Sequence, residues 1–165
     1  MILGMSASTF TTVHVVLSVI GIFSGIIVLV GMFSANGLAG WTALFLVSTV
    51  LTSVTGFFFH SEHFGPPHVI GVISLVVLAL VILARYVYRL AGAWRWIYVG
   101  GAVLALYLNV FVGVVQAFQK LPFLSQLAPT QSEPPFLVAQ LIVLAIFVVL
   151  GICAATRFRL TTARL

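Results

Sequence analysis

The chain has 165 residues, 62% hydrophobic and 5% charged, with a mean hydropathy of +1.29 and a formal charge of +5. A water-soluble domain averages roughly 25% charged residues, so this chain cannot cover a water-facing surface, and lipid must be its solvent. A pI near 10.2 would suggest nucleic acid in a soluble protein. Here the few basic side chains flank apolar runs, where topology and contact with anionic headgroups account for them, and no nucleic-acid partner is expected.

Five apolar runs follow one another. A helix needs about 20 apolar residues to cross the hydrocarbon core, and lipid tolerates no unpaired backbone group, so each run is expected to be helical. Span one runs from about Phe10 to Phe33 and ends in the turn-rich stretch Ser34 to Gly40. The nine residues before it, MILGMSAST, carry no Lys or Arg, and the run is too long for a signal h-region, so it is expected to be retained. Span two runs from about Trp41 to Phe59 and ends in His60-Ser61-Glu62-His63-Phe64-Gly65-Pro66-Pro67, where glycine and two prolines break a helix. Span three runs from about His68 to Tyr86, and span four from about Trp96 to Ala117. Pro122, Pro129, Pro134 and Pro135 mark the one long connection, and span five runs from about Phe136 to Thr156. Cys153, the only cysteine, lies in span five and cannot form an internal disulfide.

Each span carries a stripe that predicts how it packs. Thr11, His14, Ser18, Gly21 and Gly25 fall on one face of span one; Thr42, Thr49, Thr52 and Gly56 do so on span two. Span four carries Ala102, Ala105, Asn109, Gly113, Gln116 and Lys120. Small residues let membrane helices approach and polar ones bond across the contact, so these stripes are expected inside a compact five-helix bundle. Asn109 in particular should face another helix.

Charge predicts the orientation. With the connections numbered alternately outside and inside, Arg85, Arg89, Arg95, Arg157, Arg159 and Arg164 share one side and only Lys120 falls on the other. Basic residues near a span resist translocation, so the arginine side is cytoplasmic, the N-terminus out and the C-terminus in. Trp41, Tyr86, Tyr88, Trp94 and Trp96 then form an aromatic belt at the inner ends.

The same topology gathers His14, His60, His63, His68, Glu62, Glu133 and Lys120 at the outer end. Neutral imidazole with carboxylate can hold zinc, copper or iron, so His14, His63, His68, His60 and Glu133 are the candidate metal ligands. His14 is expected within side-chain reach of His63 or His68. Haem would need two facing histidines, with Gly56 or Gly71 giving the ring room. A quinone or lipid headgroup could bond Asn109, Gln116 and Gln140 between Phe57, Phe58 and Phe59. The alternative is a solvated rim of histidines. No acid lies within a span, against a proton-coupled carrier or cation pump. No glycine-rich phosphate loop, GxSxG or HExxH is present, so catalysis is not expected without a bound cofactor.

WTALFL at 41–46, TVLTSVTGFFF at 49–59, ALYLNVFV at 105–112 and APTQSEPPF at 128–136 resemble a group of small bacterial inner-membrane proteins, mostly from proteobacteria. That group's FH-x-F-x-P-x-H loop falls here on His63, Phe64, Pro66 or Pro67, and His68, with Ser61-Glu62 departing from it. The resemblance covers nearly the whole chain and implies a bacterial cytoplasmic membrane, but no activity. Two functions are expected from this reading. One is a non-enzymatic accessory or structural subunit of a membrane complex, or a self-associating bundle. The other is a metal-, haem- or quinone-binding protein with an outer histidine site.

Overall fold

The computed structural model describes residues 4–59 and 65–158. Its elements are α1 Ala7–Phe33, α2 Ala39–Gly56, α3 Pro66–Ile82, α4 Trp94–Lys120, α5 Pro122–Leu127 and α6 Pro134–Arg157, with a π-helical turn, Leu83–Val87, continuing α3. Five of these, counting α3 with its π-turn as one, are long and apolar enough to cross a membrane. The chain is therefore an all-helical bundle of multi-pass dimensions.

Local chemistry sets the helix starts. Ser6 Oγ accepts from the Thr9 N–H at 3.1 Å and caps α1. Pro66 and Pro67, Pro122, and Pro134 and Pro135 open α3, α5 and α6, where a missing N–H costs nothing. Each long helix starts two or three residues before its hydropathy bound, and three further differences stand out. Span two closes at Gly56, because Phe57 and Phe58 turn back onto Val54 and Thr55. Span three gains its π-turn, and the long connection holds α5, which its prolines had marked only as broken chain.

Side-chain contacts show the helices alternating in direction. At one end, His14 of α1 meets Thr55 of α2, and Phe57 meets His68 of α3. At that end Phe118 of α4 also packs on Phe136 of α6. At the other, Thr42 of α2, Arg85 of the π-turn and Tyr98 of α4 converge, with Phe158 beneath Tyr98. These are called the histidine end and the arginine end below. Of the predicted belt, Trp41, Tyr86, Tyr88 and Trp96 are exposed at the arginine end, and Trp94 stacks on Tyr88 at 3.8 Å.

α4 is the hub, touching α1, α3 and α6. Where the helices cross there is no space to spare. A Cβ on Gly25 would lie 2.7 Å from Leu106 and 2.9 Å from Phe45; one on Gly101 would lie 2.5 Å from Val81. The predicted stripe of α1 does turn inward, burying Gly21 and Gly25, while Val16, Val19, Phe23, Ile26 and Val30 form the opposite, exposed stripe. α4's stripe is buried at Ala102, Ala105 and Asn109, but Gln116 and Lys120 at its far end are exposed. Asn109 does face another helix: its Oδ1 accepts from Ser18 Oγ at 2.8 Å.

Candidate functional site

The histidine end is assembled from the ends of α1, α2, α3 and α6. His14 lies in the second turn of α1, half-buried, because the Gly21–Gly25 contact fixes that face of the helix against α2. Its Nδ1 is 2.8 Å from Thr55 Oγ1. Thr55 has one hydroxyl hydrogen, and its oxygen stands 2.7 Å from the Leu51 carbonyl, the usual back-bond of a helical threonine. With that hydrogen spent, Thr55 Oγ1 accepts from His14 Nδ1–H. The neutral ring then carries its lone pair on Nε2. Phe59 meets the imidazole edge-on at 5.0 Å, Phe10 packs on Phe59 at 5.2 Å, and Gly56 leaves the ring room with Cε1 at 3.7 Å from its Cβ position. One side of His14 is thus walled by Phe59, itself backed by Phe10.

His68 is held differently. It is the third residue of α3, and its Nδ1 accepts from the Gly65 N–H at 3.2 Å, closing the first turn. In the neutral ring the proton is then on Nε2. The Phe57 ring lies tilted against it at 5.8 Å, in the notch left by Gly71, whose Cβ would come within 2.9 Å of that ring. His60 and His63, with Glu62, lie outside the described residues.

Glu133 is engaged locally. Its carboxylate accepts from the Thr130 hydroxyl at 2.8 Å and from the N–H groups of Thr130 and Ser132 at 3.1 Å, just before α6. Desolvation, the largest single influence, pushes its pKa up. The hydrogen bonds from Thr130, Ser132 and its own backbone outweigh that and hold it below the ordinary carboxylate value. Among the described residues, no three of His, Cys, Asp and Glu gather in a way that could hold a metal ion.

The candidate quinone ligands go to separate partners. Asn109 joins Ser18 on α1. Gln140 is buried, and its Nε2 donates to the Phe111 carbonyl at 3.2 Å while its Oε1 has no partner. Gln116 is exposed. Two residues at this end escaped the sequence reading. Thr55 lies three residues beyond Thr52 in the span-two stripe, so the period could have found it. Phe10, almost wholly buried as the floor beneath Phe59, was read only as the start of a span.

Comparison with protein-family models, with curated proteins and with solved structures finds no match.

Proposed function

We propose that the chain is a non-enzymatic integral membrane protein of the bacterial cytoplasmic membrane, acting as an accessory or structural subunit of a membrane complex or as a self-associating bundle. In this reading the histidine end faces the periplasm and the arginine end the cytoplasm, as the six-to-one division of basic residues requires. The observation that carries it is α6. Only 6% of its most apolar window is buried within the chain, against 39% for α1 and α4. It rests mainly on α4, and to a lesser extent on α1, by a stripe that includes Gln140, Phe147 and Ala154, with Tyr107 against Phe147 at 5.7 Å. Its other faces, including Leu137, Leu141, Val149 and Ile152, are apolar and uncovered. The close helix crossings at Gly25 and Gly101 favour a scaffold over a transport path.

Cross-linking tests it. In a Cys153→Ser background, Val149→Cys on α6 should form a specific cross-linked product in native membranes, to a second copy or to another subunit. Val19→Cys on α1 should not. A protein monomeric in nanodiscs and uncross-linked from every exposed α6 position would contradict the proposal.

A second reading, a metal-, haem- or quinone-binding protein, rests on His14. Its ring is half-buried against Phe59, and its Nδ1–H goes to Thr55, which leaves the Nε2 lone pair as the candidate ligand atom. Metal analysis and an optical spectrum of the purified protein test it. A copurifying metal or chromophore lost on His14→Ala supports it; a metal-free, colourless protein that binds no added quinone sinks it.

A further inference from the structure

Arg85 is the only buried charged side chain among the described residues, at 9% exposure. Its Nη2 donates to the Gly37 carbonyl at 2.9 Å, and its Nη1 to Tyr98 OH at 3.4 Å. Tyr98 OH is 3.4 Å from Thr42 Oγ1, and the Thr42 hydroxyl donates to Gly37 O at 3.2 Å. The guanidinium also lies 5.3 Å from the Tyr98 ring centre. All these partners are neutral.

A guanidinium has five N–H donors, and two are used among the described residues. Among the described residues the one acidic side chain is Glu133, and it lies at the other end of the bundle. Glu133 starts α6, whose far end lies against Tyr98. The neighbouring charges, Arg89 and Arg95, are also positive. A buried charge without a counterion is costly, in membrane as in protein. At 9% exposure the Arg85 side chain is not wholly sealed off.

We infer that Arg85, held by Gly37 and Tyr98, is a binding site for a phosphate group, and that its occupant is the phosphodiester of an anionic phospholipid. The planar fork presents its remaining N–H groups to an oxyanion. Exposed Tyr86, Tyr88 and Trp96 put this end at the depth where aromatic side chains meet lipid headgroups. The inference holds whichever face of the membrane the arginine end occupies.

Native mass spectrometry of the intact protein in detergent, titrated with phosphatidylglycerol, tests it. Wild type should retain one saturable lipid, in preference to phosphatidylcholine. Arg85→Gln should weaken that binding about tenfold or more, the loss expected for removing a charge-assisted hydrogen bond. Arg157→Gln, at the end of α6, should retain it. Arg85→Lys keeps the charge but not the fork, so it should fold even if Arg85→Gln does not, and still bind more weakly than wild type. Displacement of the lipid by millimolar inorganic phosphate would also support an oxyanion site, and binding of phosphate without lipid would assign a soluble source. Equal lipid retention by wild type, Arg85→Gln and Arg85→Lys would overturn the inference, as would a wild type that retains neither ligand.

Discussion

Single residues decide how this bundle closes, and Asn109 is the clearest case. It is buried at 7% exposure and bonds Ser18 through its Oδ1, while its Nδ2 reaches the Ser18 carbonyl at 3.4 Å. Asn109→Leu should destabilise by about 0.6–2 kcal/mol, the range of interhelical hydrogen bonds in membranes. Reversible unfolding in mixed micelles measures it, and a double cycle with Ser18→Ala should show the two losses coupled rather than additive. The inward position of Asn109 was legible because its helical period coincides with that of Ala102 and Ala105. The partners of His14 were less so. A stripe shows which face turns inward, not the rotation of the opposing helix, and it is that rotation which puts Thr55 Oγ1 at 2.8 Å from Nδ1. Arg85 was read as a topological charge alone. The signal for its burial was present, since Ser74, Leu78, Val81 and Arg85 recur at four- and three-residue steps and all four are buried.

At the scale of elements, the glycines divide into contacts and bystanders. Gly25 lies where α1 meets Phe45 of α2 and Leu106 of α4, so Gly25→Val should cost about 1–3 kcal/mol by overpacking. Gly100, one residue from the tight contact at Gly101, has nothing within 4 Å of its Cβ position. Gly100→Ala should therefore be neutral or stabilising, by up to about 1 kcal/mol from helix propensity. The same unfolding assay separates them, and equal losses at both sites would contradict the packing. The start of α6 should respond to pH. Because the folded Glu133 carboxylate has a lowered pKa, its contribution is present above about 4.3, the unfolded value, and is lost as pH falls through the folded value. Thermal melts across that range should show the decline in wild type and a flatter profile in Glu133→Gln. Helix α5 is not legible in the sequence because the prolines of the long connection mark only a break between spans. Pro122 in fact opens a helix, the role proline plays in a first turn.

For the whole molecule, the number and order of the long helices could be read from hydropathy, because length and apolarity are what a bilayer demands. Which faces bind protein could not, since lipid tails and partner helices select the same apolar side chains. α6 illustrates this: its sequence is apolar all round, and only the structure shows that one narrow stripe rests mainly on α4. The account rests on the bundle standing across the membrane with its histidine end out and its arginine end in. The most direct test uses Ser132→Cys, in the exposed turn before α6, and Gly92→Cys, in the exposed turn between the π-turn and α4, each in a Cys153→Ser background. An impermeant thiol reagent added to the periplasmic side of intact cells should label Ser132→Cys, and should label Gly92→Cys only after the membrane is permeabilised. Labelling of Gly92→Cys in intact cells, with Ser132→Cys protected, would contradict the orientation, and labelling of both would contradict the membrane-spanning bundle itself.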